Sequence, residues 1–416
     1  MAFFIVPIVI SKGCPANATF ANSTVKVPMA AFVTTVIKLP CFDKFNTIMA
    51  RSNSGGVTRS RPAACCLWHR LRSISHPKRF LMQYRSLGSS NLKVSALCLG
   101  TMMFGDQTDR TEAASIVADA HAQGVNYIDT ADVYTKGVSE TMVGELLKGQ
   151  RQHWVLATKL GNTMSARVNE GHYSRSWMLR SIEASLQRLQ TDYVDILYLH
   201  RDYNGMNLEE PLRALDAMLR AGQIRYWGVS NFRGWRIAEM MRLAGQLGMP
   251  GPVVCQPYYN LLNRSPEVEV LPACAHYGIG VTPYSPVARG VLTGKYPPGQ
   301  TPDPTSRAGR ADKRMAETEF REESLVIAQQ LKGHAEAKGF SLAQFATAWV
   351  LANPAISSVI AGPRTLTQWQ DYLPALDYVV TAEEEALVDG LVKPGHPSTP
   401  GYTDPAYPLN GRLSIR

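Results

Sequence analysis

Beyond residue 82 the chain settles into short apolar runs set between polar turns. "QYRSLGSSNLKVS", residues 83–95, alternates on either side of a Gly/Ser/Asn turn, which predicts a β-hairpin. Eight further runs follow: "ALCLG", "NYID", "WVLATK", "YVDILYLH", "IRYWGVSN", "PVVCQ", "IGVTPYS" and "ISSVIAG". They are apolar at successive positions rather than at alternate ones, so both faces of each strand are buried, as a parallel sheet covered by helices requires. Most are followed by a turn and an amphipathic segment of helical period. Eight such units predict an α/β fold whose sheet closes into a (β/α)8 barrel behind the N-terminal β-hairpin.

Helices are predicted at 174–189, 208–220, 233–247, 322–338 and 341–353, with "TAEEEALVDGL" adding a late one. The first, opening after Asp109, shows the local logic. Asp109 and Glu112 have capping-box spacing; Ala113, Ile116, Val117 and Ala120 share one face; Gly124 supplies a left-handed stop. Two Gly/Pro-rich interruptions, "RDYNGMN" and "SPVARGVLTGKYPPGQTPDPTSRAGRADKR", follow the fourth and seventh barrel strands at their C-terminal ends, where barrel active sites form. No linker splits residues 83–392, which are expected to be one barrel domain, with 1–80 as a leader and 393–416 as a C-terminal tail.

The formal net charge of +9 would point to nucleic acid or an anionic surface if it were spread along the chain. It is concentrated in residues 1–80, where eleven Lys and Arg face a single acid, Asp43; the remainder holds 32 basic and 33 acidic residues. No nucleic-acid partner is therefore expected for the body. Rich in Arg and Ser and without a long helical or strand period, the leader has the composition of an organelle transit peptide. Mitochondrial import is the expectation, with a cytoplasmic protein carrying a disordered leader as the alternative. Its opening apolar run is about ten residues long with Pro7 inside it, too short to span a bilayer, so no membrane span is expected. Cys14, Cys41, Cys65 and Cys66 lie in the leader, and Cys98, Cys255 and Cys274 are far apart in the body. That spacing gives neither a disulfide framework nor a CxxC metal pair.

The candidate chemistry stands at the strand ends. The second barrel strand ends at Asp129, with Tyr134 five residues on; the third ends at Lys159, the fourth at His200, the fifth at Ser230 and Asn231, and the sixth at Gln256. In a barrel all of these face one rim. Each alone has a bland explanation: a cap, a core phenol, a snorkelling lysine, a hydrogen-bonded histidine. Together they are hard to reconcile with packing, because a buried charge is costly unless it is paired.

At these residues the chain resembles the aldo-keto reductase family, over nearly all of 83–392. The matching stretches are "LGTMMFG", "NYIDTADVY", "VLATKLG", "DILYLH", "GQIRYWGVSNF", "QPYYNLL", "YSPVARGVLTGKY" and "VIAGPRTLTQWQD". The resemblance implies a TIM barrel that binds NADPH or NADP+ across its rim and moves a hydride between the nicotinamide and the carbonyl carbon of a small aldehyde or ketone. It implies a catalytic tetrad of Asp129, Tyr134, Lys159 and His200. Tyr134 would be the proton donor, Lys159 would bring the phenol's acidity nearer the working range, Asp129 would pair with Lys159, and His200 would orient the carbonyl oxygen.

The same resemblance assigns the coenzyme contacts. Ser230, Asn231 and Gln256 would hold the carboxamide, and Tyr284 would stack on the nicotinamide ring. Ser285, Val287 and Gly290 would approach the pyrophosphate with backbone groups, and Arg289, Lys295 and Arg307 would add cations. Gly362 and Arg364 precede a helix expected near Thr365, with Arg364 meeting the ribose 2′-phosphate and Gln368 and Asp371 the adenosine. Tyr372 departs from the Asn common in the family. Without GxGxxG after a strand, HExxH or GxSxG, the chain gives no sign of Rossmann, metallohydrolase or serine hydrolase chemistry. Two alternatives stand: an NADP(H)-sensing subunit of the channel β-subunit type with slow turnover, and a barrel isomerase or aldolase using Lys159 as a Schiff base. Substrate choice would lie in "RDYNGMN", "GNTMSARVNEGHY" and the tail, with Tyr203 and Trp227 as candidate pocket residues and Trp227, at a strand end, equally a candidate for the core.

Overall fold

A computed structural model describes residues 80–408. The leader over 1–80, apart from Phe80, and residues 409–416 of the tail lie outside the described residues. The hairpin forms as expected, with β1 (Tyr84–Ser86) antiparallel to β2 (Lys93–Ser95). Eight parallel strands follow: β3 (Leu97–Gly100), β4 (Tyr127–Asp129), β5 (Val155–Leu160), β6 (Val194–Leu199), β7 (Ile224–Ser230), β8 (Val254–Gln256), β9 (Gly280–Val281) and β10 (Val359–Ala361). Their order around the sheet is β10-β3-β4-β5-β6-β7-β8-β9. The two ends of that order meet: bridges join Val281 to Ile356 and Tyr284 to Ile360, and the Ile360 N–H donates to the Pro283 carbonyl at 3.0 Å. The barrel is closed, which removes the open edges a sheet would otherwise expose.

Two apolar cores explain why these strands read as unbroken hydrophobic runs. Inside the barrel, Cys98, Tyr127, Ala157, Ile196, Tyr198 and Val254 pack together, and Leu87 and Val94 of the hairpin plug one end. Between barrel and helices lies the larger core, to which Leu97, Leu99, Ile128, Leu156, Leu197 and Val229 turn their side chains. Successive residues of one strand thus serve different cores, the alternation of a pleated strand buried on both faces. Gly88 at the hairpin turn has φ +59°, and a Cβ there would stand 2.4 Å from the Gly278 carbonyl oxygen. Its absence lets the Ser89 N–H donate to that carbonyl at 2.7 Å and seat the plug.

The outer helices are α1 (Arg110–Ala122), α2 (Val138–Leu146), α3 (Arg175–Leu189), α4 (Glu209–Arg220), α5 (Gly234–Gln246), α6 (Val270–Tyr277), α7 (Lys313–Thr318), α8 (Glu322–Ala337), α9 (Leu342–Ala352), α10 (Leu366–Tyr372) and α11 (Ala382–Leu391). The capping box expected for α1 is only half formed. Asp109 accepts the Glu112 N–H at 2.9 Å, but the Glu112 carboxylate reaches across to the Leu366 N–H at 2.5 Å and pins the first turn of α10. Helices α2, α6 and α7 are additions to the sequence reading. Among the described residues no helix is long and apolar enough to cross a membrane.

The turn between β4 and α2 carries Asp132, whose backbone N–H donates to the Lys159 carbonyl at 3.1 Å. Its side chain is buried and, among the described residues, neither oxygen has a hydrogen-bond partner of normal geometry. Burial, with the Glu140 carboxylate adding to it, pushes the Asp132 carboxyl up to about 8; the Val133 N–H, Arg188 and Lys159 offset only part of this. The native state therefore keeps a proton that the unfolded chain, at the ordinary value of 3.8, releases. That stabilisation is complete below about pH 4 and is lost as pH rises towards 8, at roughly 1.4 kcal/mol per pH unit at most. Denaturant unfolding of Asp132→Asn between pH 5 and 8 should show this slope removed relative to the wild type; an unchanged slope would mean that Asp132 is ionised in the fold.

Candidate active site

The residues singled out at the strand ends converge on one hydrogen-bonded chain. The Tyr284 hydroxyl donates to Asn231 Oδ1 at 2.8 Å. Asn231 Nδ2 donates to Ser230 Oγ at 2.9 Å and to the His200 carbonyl at 3.1 Å. Ser230 Oγ donates to the Gln256 carbonyl at 2.9 Å, and Gln256 Nε2 donates to Asp129 Oδ1 at 2.9 Å. The other carboxylate oxygen, Oδ2, accepts from Lys159 Nζ at 2.5 Å. Lys159 also donates to the Thr130 carbonyl at 2.7 Å and to Tyr134 Oη at 3.1 Å. Register makes this reach natural: β4 lies beside β5, and Ser230 is paired with Gln256 across β7 and β8.

An ammonium has three donors, and all three of Lys159's are used. Because Tyr134 Oη accepts from Lys159, its own hydrogen must point elsewhere; among the described residues no acceptor takes it, and Tyr134 lines the cleft. Burial works against the Lys159 charge, yet Asp129 and Tyr134 together raise Lys159 above the ordinary lysine value. Lys159 thus stays protonated, which disfavours the Schiff-base alternative. Burial likewise pushes Asp129 up, opposed by Lys159 and Gln256.

One expectation is corrected here. Lys159 does pull the Tyr134 phenol down, but burial outweighs it and the phenol sits above its ordinary value rather than nearer neutrality. His200 is held well below the ordinary imidazole value by burial, with Lys159 and Arg201 adding to it, so the ring is neutral. Its Nδ1 is buried without a partner among the described residues, and its plane stands edge-on to Tyr134 with centroids 5.9 Å apart.

The cleft has a volume of about 490 Å³ and runs from Asp129, Tyr134 and His200 outward to Gln368 and Asp371. Every coenzyme candidate named from the sequence lines it: Ser230, Asn231, Gln256, Tyr284, Ser285, Val287, Arg289, Gly290, Lys295, Arg307, Gly362, Arg364, Gln368 and Asp371. Tyr372 does so as well. Ser285 and Arg289 have φ of +59° and +50°, and Gly290 +101°, so the backbone after β9 folds into a concave turn. Of the cations, Arg289 is paired with the buried Glu319 at 2.9 Å and Arg307 with Asp312 at 3.0 Å, so neither brings free charge. Lys295 and Arg364 have no carboxylate partner among the described residues. Gln368 Oε1 accepts the Arg364 N–H at 2.9 Å, and Asp371 accepts from Gln344 Nε2 at 2.7 Å, bracing this end.

The sequence reading missed several cleft residues. Gln107 Oε1 accepts from Arg364 Nη1 at 3.0 Å and from Arg310 Nη2 at 2.8 Å, bringing two guanidinium groups together on a neutral amide. Arg310 sits in the Gly/Pro-rich segment already suspected, so its charge was a readable signal; Gln107 offered none. Met102, Met103, Val133, Asn162 and Tyr407 also line the cleft. Of the two places open to Trp227, pocket and core, it takes the core, with Nε1 donating to the Pro250 carbonyl at 2.8 Å. Tyr203 braces the rim, its hydroxyl on the Gly161 carbonyl at 2.8 Å and its ring stacked on His172 at 4.0 Å. Cys98, Cys255 and Cys274 are buried and free, and no cluster of metal-ligating side chains occurs among the described residues.

Comparison with known proteins agrees with this geometry. The chain is 38% identical over 303 residues, 72% of its length, to a probable voltage-gated potassium channel subunit beta of Arabidopsis thaliana, covering 92% of that protein. It is 36% identical over 328 residues, 77% of its length, to a protein of the same description from Oryza sativa subsp. japonica, covering all of it. It is 34% identical over 337 residues, 78% of its length, to the uncharacterized oxidoreductase YrpG of Bacillus subtilis (strain 168), covering 99% of it. The family model described as Aldo/keto reductase family matches residues 96–393, from the first barrel strand through the last helix and leaving out the hairpin. The chain belongs to the aldo/keto reductase family.

Proposed function

We propose that the protein is an NADP(H)-dependent reductase that converts small aldehydes or ketones to alcohols, with Tyr134 as proton donor. The observation that carries this reading is the three-way engagement of Lys159, which leaves the phenol hydrogen of Tyr134 as a donor facing the cleft. The residues present suit the coenzyme. A concave backbone turn at Ser285–Gly290 fits a pyrophosphate, and Lys295, Arg310 and Arg364, none paired with a carboxylate among the described residues, fit phosphate groups including a 2′-phosphate. When bound, NADPH supplies the hydride for the carbonyl carbon.

The chain's own residues do the rest. A carbonyl oxygen seated between Tyr134 and His200 gains negative charge as its carbon is reduced, and a hydrogen bond from Tyr134 strengthens as that charge grows. The proton passes from Tyr134 Oη to that oxygen. The phenolate left behind is stabilised by the adjacent Lys159 ammonium, which pays no reorganisation because Asp129 and Thr130 already hold it. His200, neutral, orients the oxygen by hydrogen bonding. A nucleotide-sensing subunit with slow turnover is the second reading, favoured by the description of the Arabidopsis and rice relatives as channel beta subunits. A protein of that kind would bind NADPH, copurify with a partner and consume coenzyme poorly on every carbonyl.

Tyr134→Phe should lower NADPH consumption by roughly 10²- to 10⁴-fold, the scale of a lost general acid, while NADPH binding followed by fluorescence stays within a few-fold. Wild-type consumption no greater than that of the variant would favour the sensor. The donor is the protonated phenol, so activity is lost as pH rises through its raised value. Turnover should be flat across neutrality and fall only above about pH 10, the ordinary tyrosine value, without an acid limb from His200 near pH 6.5. An alkaline limb near pH 7 in steady-state rates would contradict the assignment of Tyr134.

A further inference from the structure

The C-terminal tail is tied down more firmly than a surface segment needs to be. After α11 it returns along the rim, and the Ser398 N–H donates to the Leu262 carbonyl at 2.9 Å. Arg321 Nε donates to Thr399 Oγ1 at 2.7 Å, and the same guanidinium lies 3.8 Å over the Tyr402 ring. Arg314 grips Asp404 with both arms, at 2.7 and 3.1 Å. Arg201 Nη2 donates to the Ala406 carbonyl at 2.7 Å and Arg233 Nη2 to the Pro408 carbonyl at 2.6 Å. Four arginines from separate parts of the fold thus hold one short stretch. Pro397, Pro400, Pro405 and Pro408 lower the entropy that ordering it costs.

The tail brings Tyr407 into the wall of the cleft that holds Tyr134 and His200, with the Arg201 guanidinium 5.2 Å over its ring. The other cleft side chains contributed by the loops after β3, β4 and β5 include Met102, Met103, Val133 and Asn162, all uncharged. Arg201 spends its charge on the tail carbonyl and on the Tyr203 and Tyr407 rings. Arg310 and Arg364, without a carboxylate partner among the described residues, are gathered by Gln107 on the β10 side of the rim.

We propose that Tyr407 is a specificity-determining residue that narrows the carbonyl-binding end of the cleft into an uncharged slot, selecting neutral aromatic carbonyls over anionic and polyhydroxylated ones, and that the Arg314–Asp404 pair holds it in place. This rests on the reductase reading. An aromatic substrate gains stacking and burial against Tyr407, and a carboxylate-bearing one is desolvated beside cations that are already paired, Arg314 with Glu317 and Asp404 and Arg289 with Glu319.

The test uses the full chain with NADPH and measures kcat/KM for 4-nitrobenzaldehyde, 4-carboxybenzaldehyde, glyceraldehyde and propanal. The wild type should prefer 4-nitrobenzaldehyde to 4-carboxybenzaldehyde by about tenfold or more, the scale set by one pocket contact. Tyr407→Ala should cut the ratio of 4-nitrobenzaldehyde to propanal by about tenfold, chiefly through KM, Tyr407→Phe should restore it, and Asp404→Asn should reproduce part of the loss. A ratio unchanged in both Tyr407→Ala and Asp404→Asn, or a wild type that favours the carboxylate, overturns the proposal while leaving carbonyl reduction standing. Tight NADPH binding with no consumption on any carbonyl overturns the reductase reading itself.

Discussion

The site depends on one buried ion pair. Lys159 is wholly enclosed and Asp129 nearly so, and their atoms stand 2.5 Å apart. Two charges removed from water this completely are tolerated only when their remaining donors and acceptors are also satisfied. Here that demand organises the rim: the spare carboxylate oxygen takes Gln256, and the spare ammonium donors take the Thr130 carbonyl and Tyr134. The Gln256 carbonyl in turn fixes Ser230, and Ser230 fixes Asn231. Four strand ends, those of β4, β5, β7 and β8, are held in place because one lysine must be neutralised, and the phenol hydrogen is left as the one directed outward.

Much of this was legible in the sequence because parallel-barrel strands carry a strong signal. Residues buried on both faces give continuous apolar runs, and each run stops at the polar residue that meets the rim, so "NYID" and "WVLATK" announce both a strand and a site residue. Helices with side-chain caps were equally readable, Ser341 and Thr381 among them, each forming a full capping box. Two of the three helices that escaped lack that signal, whereas Lys313–Thr318 has it in Asp312, which accepts the Met315 N–H at 2.8 Å. Val138–Leu146 is preceded by Gly137 at φ 93°, and Val270–Tyr277 has Pro272 in its first turn and no side-chain cap. Lys313–Thr318 lies at the end of a long Gly/Pro-rich segment that reads as loop.

What the sequence could not convey was how charges are shared out. Arg289, Arg307 and Arg364 look alike in one dimension. In the fold the first is neutralised by Glu319 and the second by Asp312, whereas the third shares a neutral amide with Arg310. Nor does pattern tell how burial and charge balance at Tyr134, where desolvation exceeds the pull of Lys159. The tail was unreadable for a different reason: its Pro-rich composition suits a free end as well as a strap, and only the arginines that converge on it from distant positions decide between them.

A double-mutant cycle on Asp129 and Lys159 tests the account most directly, with Asp129→Asn, Lys159→Met and the double variant unfolded in denaturant. If the pair is what the rim is built around, each single variant leaves a buried charge uncompensated and costs about 3–5 kcal/mol, and the double variant costs clearly less than their sum. Costs that add to within about 0.5 kcal/mol would show that the two residues act independently and would contradict the account.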